Sequence, residues 1–255
     1  MPRFSIITCT LNDEKTLFRS LQSIEDQGFD NIEHIIIDGD STDQTKSIIE
    51  NYCDKVVYPV KFKSIPRKGV YNAFNVALSE ASGEIIVFLN ADDWIIKSNY
   101  LTTLQNYFLG GFSIVYSDLI MVDEFQKLKR YWEAGNCTKS SCKFGRVPPH
   151  PSFVCLREVY EKIGYFDEKF KIAADLDFMI RAFMYDRFQI AYEKQVFVAM
   201  QIGGVSNNSL KAFYLKILED YQVFQSNNFK GIIGVIGKRL IKISQYMRFV
   251  QNGVK

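Results

Sequence analysis

Short apolar runs rich in Ile and Val alternate along the chain with longer segments whose apolar residues recur every three or four positions. That alternation is the signature of βαβ units and a mostly parallel sheet. Phe4 to Thr8 reads as the first strand, and Leu17, Leu21 and Ile24 mark one face of a helix within Glu14 to Gln27, stopped by Gly28. Glu33 to Ile37 is the second strand, followed by an acidic turn from Asp38 to Asp43 and a helix through Ile48 and Ile49. A third strand is expected around Lys55 to Pro59. After the turn at Pro66 to Gly69, Ala73, Phe74, Ala77 and Leu78 make another helical face that ends at Ser82-Gly83. The unbroken apolar run Ile85 to Leu89 is a buried strand, and it delivers Asn90-Ala91-Asp92-Asp93 to its C-terminal edge.

The second half is less regular. A helix is expected from about Ser98 to Phe108 and a strand near Ser113 to Tyr116, then an irregular stretch rich in Ser, Cys, Lys and Pro as far as Pro151. Connections of that length are usually functional or mobile. Arg157 to Ile163 and Asp175 to Tyr185 read as helices, Phe188 to Val198 as one or two strands, and Phe213 onward as helical with a Gly-broken middle. The pattern divides the chain into a body, residues 1–210, and a basic helical tail, residues 211–255. Within the body, about 1–100 forms one half and about 101–210 the other.

Composition narrows the class. A chain of 255 residues, 47% hydrophobic, can bury a sizeable core. The 31 basic and 29 acidic residues leave a formal charge of +2, which argues against a nucleic-acid partner. Five cysteines are scattered without CxxC pairs, so reduced thiols in the cytosol are the simplest reading and a zinc site is not expected. The start MPRFSIITCTLND lacks the features of a signal peptide and no run approaches a spanning helix, so a soluble or peripheral protein is expected.

In open α/β sheets, ligands bind at the carboxyl ends of the strands. Three acidic groups fall on or near such ends: Asp38 with Asp40 and Asp43, Asp92 with Asp93, and Asp175 with Asp177. Crowded carboxylates are costly unless a cation or hydrogen bonds compensate, and a divalent metal bridging phosphates does so with few protein ligands. Each group also admits a plainer role as a helix cap or turn.

These residues carry a resemblance. Thr8-Cys9-Thr10-Leu11-Asn12, the Asp38 to Asp43 turn, Gly69-Val70-Tyr71-Asn72-Ala73 and Gly83 to Asp93 resemble, in order, the signature of the family 2 glycosyltransferases, which have a GT-A fold. His150-Pro151-Ser152-Phe153, Tyr160 to Asp167, Ala173 to Asp177 and Gly203-Gly204-Val205-Ser206 are similar to the acceptor-side half of that family, extending the match over about four fifths of the chain. The fold so implied is α/β, a Rossmann-like three-layer sandwich with a mostly parallel central sheet and C-terminal helices.

The resemblance also implies roles. Thr8 and Asn12 would hold the nucleotide and Asp38 its base, with Asp40 and Asn72 at the substrate. Asn90-Ala91-Asp92 occupies the family's DxD position, so Asp92 would be the ligand to Mn²⁺ or Mg²⁺, with Asn90 and Asp93 beside the donor. Asp175 falls where the family places the catalytic base of an inverting transfer, with Asp177 the lesser alternative. Two departures from the family pattern stand out: Asn90 replaces an Asp, and Ala174 replaces the Glu of Glu-Asp. His150 is open between a contact to donor or metal and a loop histidine; Arg67 and Lys68 between diphosphate contacts and a solvated turn; Trp94 and Trp132 between a sugar pocket and core packing.

The function so implied is metal-dependent transfer of a sugar from a nucleotide-diphosphate sugar, UDP-linked in the first instance, to a saccharide or lipid-linked saccharide in bacterial surface polysaccharide or lipopolysaccharide synthesis. Two alternatives stand: a catalytically silent nucleotide-sugar-binding protein of the same fold, and a sugar nucleotidyltransferase. The latter would need a Gly-rich basic loop after the first strand, which Thr8 to Asn12 is not. A dinucleotide oxidoreductase lacks its GxGxxG. No acid follows Asp220, while Lys230, Lys238, Arg239, Lys242, Arg248 and Lys255 do, interleaved with Ile and Val. Such a tail suits the anionic cytoplasmic face of the inner membrane, or else packing on the body or on a second subunit of a homodimer.

Overall fold

The computed structural model describes residues 3–202 and 210–251. The Gly203-Gly204-Val205-Ser206 motif and Lys255 lie outside them, as does the side chain of Arg248.

Strands β1 (Phe4–Thr10), β2 (Ile32–Asp38), β3 (Val60–Ser64) and β4 (Ile85–Phe88) are parallel neighbours in the order β3-β2-β1-β4. They are joined through helices α1 (Leu17–Glu25), α2 (Thr45–Lys55) and α3 (Val70–Glu80). Every residue of β1, β2 and β4 is buried, as continuous apolar runs in a doubly covered sheet require. The expected third strand is displaced toward the C-terminus by five residues: α2 continues through Lys55, and the strand begins at Val60. There Lys61 and Lys63 point outward and protect the sheet edge.

Beyond β4 the sheet continues with β8 (Val154–Leu156), antiparallel to both neighbours, then β6 (Ile114–Val122) and β9 (Ile190–Gln201), and closes on β5 (Asp93–Ile95). The Asp92-Asp93 pair caps no helix: Asp93 enters β5 and pairs with Met200. The stretch expected to be irregular holds much of β6, the hairpin strand β7 (Leu128–Trp132) and a short helix α5 (Lys139–Cys142). Asp123 makes that hairpin by accepting the N–H groups of Phe125 and Lys127.

Helices α4 (Tyr100–Leu109), α6 (Arg157–Ile163) and α7 (Ala174–Met184) cover the sheet. Helices α8 (Leu210–Ser226) and α9 (Gly231–Gln251) form a hairpin against α7 and β7. The glycines of α9 are contact points rather than breaks. A Cβ on Gly234 would meet the Phe224 ring at 2.5 Å, and one on Gly237 would meet the Phe144 carbonyl oxygen at 2.1 Å.

At the N-terminal end of the strands, the buried Glu33 carboxylate accepts from Ser5 Oγ at 2.6 Å, Ser82 N at 2.6 Å and Gly83 N at 3.0 Å, and pairs with Lys61 at 2.9 Å. Burial opposes its charge, but the bonds from Ser5, Lys61 and Ser82 outweigh that and hold its pKa at about 2, below the ordinary 4.5. A depressed carboxyl pKa contributes stability that is fully present above the unfolded value and lost as pH falls through the folded one. The wild type should therefore lose about 3 kcal/mol between pH 6 and pH 2 from this group alone. Denaturant unfolding of Glu33→Gln should lack that component, so the gap between the two proteins should close as the pH drops.

Candidate active site

The carboxyl ends of β1 and β4, with the loop after β3, enclose a cleft of about 370 Å³. Thr10, Leu11 and Asp13 line it from β1, Gly39 from the loop after β2, and residues 65–70 from the run into α3; Asn90, Ala91 and Asp92 close it from β4. Its position follows from topology, since β1 and β4 are the neighbours at which the strand order reverses.

Of the residues expected to bind substrate or metal, Arg67, Lys68, Asn90 and Asp92 line the cleft. Asp92 is half-buried, and its pKa rises to about 6 through burial and the charge of Asp13, partly offset by Arg19. Beside it the Asn90 Oδ1 atom is buried without a hydrogen-bond partner. Asp93 departs from expectation. The alternation of β5 turns it inward to 1% exposure, where Oδ2 accepts the Asn90 N–H at 3.3 Å. Burial and the adjacent Asp92 charge push its pKa well up, which favours the protonated form, and it does not line the cleft.

Thr8 also departs. Strand β1 runs two residues further than expected, so the loop begins after Thr10 and Thr8 is fully buried. Its hydroxyl donates to the Leu89 carbonyl at 2.7 Å and meets His34 Nε2 at 2.9 Å, while His34 Nδ1 lies 2.9 Å from the Tyr52 hydroxyl. Burial drops the His34 pKa to about 3, so the ring is neutral and donates from Nε2 to Thr8. Asn12, at φ +57°, clips two loops together: its Oδ1 accepts the Thr42 N–H at 2.8 Å, and its side chain does not line the cleft. Asp38 is fully buried, accepting from Ser41 N at 3.1 Å and Ser64 Oγ at 2.9 Å, one residue behind the cleft-lining Gly39. Asp40 is exposed at φ +64° and pairs with Lys46 at 3.2 Å, outside the cleft.

Asp175 lies in the first turn of α7, half-exposed. It does not cap the helix, because Ala173 holds that position. The Tyr71 hydroxyl, in the first turn of α3, lies 3.0 Å from Asp175 Oδ1 and 2.8 Å from the Ile172 carbonyl, its single proton offered to both. That bond ties Asp175 to the helix whose start, at Gly69 and Val70, lines the cleft. Glu219 of α8 fixes the approach to α7 by accepting the N–H groups of Lys171, Ile172 and Ala173 at 2.8–3.0 Å. His150 stacks on Phe74 at 5.6 Å and packs near Phe88 and Phe166. Burial lowers its pKa against the opposing charge of Asp175, so the two sit within electrostatic reach.

Asp177 is buried, bound by Arg181 Nε at 2.8 Å and Asn227 Nδ2 at 2.9 Å, so it joins α7 to α8 rather than facing substrate. Asn72 binds Glu168 at 3.1 Å. Trp94 and Trp132 lie under guanidinium groups, Arg19 at 3.5 Å and Arg130 at 4.3 Å. Arg19, Asp13, Thr10 and Tyr71 were missed from the sequence. Arg19 is held by Trp94 and by Gln201 Oε1 at 2.7 Å, which places a cation beside Asp92. No local pattern in a helix reveals that.

The donor set at the cleft is all oxygen, Asp92 with Asp13 and Asn90, which suits a hard divalent cation. Among the described residues no group of three or more His, Cys, Asp or Glu can hold a metal. The protein side therefore fits a cation that takes most of its ligands from a bound diphosphate.

A family model described as "Glycosyl transferase family 2" matches residues 5–185. A "PGL/p-HBAD biosynthesis glycosyltransferase" of Mycobacterium bovis is 29% identical over 218 residues, 85% of this chain and 84% of that protein. TarS of Staphylococcus aureus, a poly(ribitol-phosphate) β-N-acetylglucosaminyltransferase, is 37% identical over 99 residues, 38% of this chain and 17% of TarS. Its residues 1–349 in complex with UDP-GlcNAc superpose with a TM-score of 0.69 at 21% identity, covering 88% of this chain and 67% of that one. The match spans 40% of the longer TarS chain. The mannosyltransferase PcManGT of Pyrobaculum calidifontis, in complex with GDP-Man and Mn²⁺, superposes with a TM-score of 0.66 at 18% identity, covering 100% of this chain and 76% of that one. The fold shared with both is the GT-A arrangement expected from the sequence.

Proposed function

The chain belongs to glycosyl transferase family 2, and from that premise we propose that it transfers a sugar, with inversion, from a UDP-sugar to a hydroxyl of a saccharide or lipid-linked saccharide in surface polysaccharide synthesis. The observation that carries this reading is one cleft with Asp92 on its β4 wall and, tied to its α3 wall through Tyr71, the carboxylate of Asp175. Asp175 takes the proton from the acceptor hydroxyl as that oxygen bonds to the anomeric carbon; on the opposite face the bond from carbon to diphosphate oxygen breaks and the electron pair leaves with the nucleotide. Arg67 and Lys68 meet the resulting charge, as do the first-turn N–H groups of α3, which no side chain caps, and Arg19 adds positive field beside Asp92. Mn²⁺ or Mg²⁺ held by Asp92 and the diphosphate oxygens would offset that same charge. His150, neutral in its aromatic surround, borders Asp175 and shapes the acceptor side.

A donor screen by thermal shift, with and without Mn²⁺, followed by transfer assays, tests this. One UDP-sugar should raise the melting temperature only with metal and then be consumed. A preference for a GDP-sugar would overturn the donor assignment, and tight binding with neither hydrolysis nor transfer would overturn the enzyme in favour of a silent binding protein.

For the tail, support comes from the α8–α9 hairpin. Among the described residues no helix is long and apolar enough to cross a membrane. The hairpin nevertheless opens a groove of about 250 Å³ lined only by Tyr and aliphatic side chains, and it exposes Ile232, Ile236, Leu240 and Ile243 beside Lys238, Arg239 and Lys242. We read this face as the one that lies on the anionic cytoplasmic surface of the inner membrane. Ile236→Glu with Leu240→Glu should release the protein from anionic vesicles without lowering its melting temperature. A dimer that these changes split would assign the face to a second subunit instead.

A further inference from the structure

Beyond Asp175, away from the donor cleft, α8 and α9 bring four cations together. Asp220, fully buried, binds Lys238 Nζ at 2.7 Å and Arg239 Nη1 at 3.3 Å, so its one charge is shared by two partners. The Arg239 Nη2 atom is buried with no hydrogen-bond partner. Lys216, half-buried one helical turn before Asp220, sits in the same field and within electrostatic reach of Asp175; Lys242 stands at the solvent edge. Burial and the neighbouring cations pull both lysine pKa values down, Lys216 despite the opposing charges of Asp175 and Asp220. Three cations, Lys238, Arg239 and Lys216, face one buried acid, with Lys242 and Arg130 adding to their field, which leaves an excess of positive charge. A buried guanidinium N–H without an acceptor has a large desolvation cost. An anion placed there would remove both penalties at once.

We propose that Lys216, Lys238, Arg239 and Lys242 form a subsite for a phosphoryl group, so that the acceptor is presented to Asp175 beside a phosphate. This rests on the reading of Asp175 as the base, and it narrows the acceptor to a saccharide that carries a phosphate or diphosphate, or that is bound at a phospholipid surface. The site lies on the Asp175 side, whereas the donor diphosphate meets Asp92, Arg67 and Lys68, so the two anions do not compete.

The test uses the full chain and Lys216→Gln with Lys242→Gln, which leaves both ion pairs of Asp220 intact. Inorganic pyrophosphate is titrated calorimetrically in EDTA, where metal-assisted binding at Asp92 is silenced, and in parallel the protein is sedimented with vesicles containing phosphatidylglycerol. If the double variant weakens pyrophosphate about tenfold or more while UDP binding with Mn²⁺ is unchanged, the subsite stands and takes a soluble or acceptor-borne phosphate. Loss of vesicle binding alone, with pyrophosphate affinity unchanged, overturns the subsite, because Lys242 already belongs to the face read as lying on the membrane. Unchanged affinity for both probes overturns it. Both measurements are of binding, so a failure of sugar transfer would leave them standing, and the two ideas fall separately.

Discussion

Asp175→Asn is expected to reduce turnover about a thousandfold while leaving donor affinity within about twofold, the pattern of a group that acts only in the transition state. The structure makes the substitution mild in every other respect. Asparagine keeps an Oδ1 acceptor for the Tyr71 hydroxyl, so the link between α3 and α7 survives. Ala173, not Asp175, occupies the cap position of α7, so helix stability loses little. What the amide cannot do is take a proton from the acceptor. Single-turnover rates with saturating donor, set beside the dissociation constant of the donor, separate the two effects. Normal turnover in Asp175→Asn would remove the base assignment. Asp177 would not inherit it, because Arg181 and Asn227 occupy its carboxylate.

The fold was legible where one local signal dominated. The Ile-rich runs became β1, β2 and β4 to within two residues, because a strand buried on both faces must be apolar throughout. What went astray depended on partners distant in sequence. Asp93 sits in a three-residue strand created by pairing with Met200, and the hairpin of β6 and β7 hides in a polar stretch because β7 is only half-covered. In the site, positions were legible and orientations were not. Asp92 and Asp93 are equivalent on paper, but the pleat sends one to the cleft and the other into the core. Thr8 and Thr10 differ only by where β1 ends. Arg19 reaches Asp92 because Trp94 and Gln201 hold it, from 75 and 182 positions along the chain.

The same contrast sets the second large effect. Asp92→Ala should abolish the Mn²⁺-dependent part of donor binding, raising the donor dissociation constant about a hundredfold with metal present and scarcely at all in EDTA. Asp92 is the carboxylate at the cleft wall whose charge is crowded by Asp13 and compensated only in part by Arg19. Asp13 accepts from Thr10 Oγ1 at 2.9 Å and the Leu11 N–H at 2.8 Å through one oxygen, Oδ2, which ties it to the loop after β1, so it can support a cation from that wall but cannot replace a ligand on the β4 wall. With Asn90 in place of a second acid, the alanine variant leaves no charged ligand from that motif in the cleft. Asp93→Asn serves as the control. The acid is buried, does not line the cleft and has its protonated form favoured there, so the isosteric amide should leave the metal-dependent thermal shift intact. If Asp93→Asn, rather than Asp92→Ala, erased that shift, the cation would have to sit on the inner side of β5, and the arrangement of donor, metal and base argued for this cleft would fail with it.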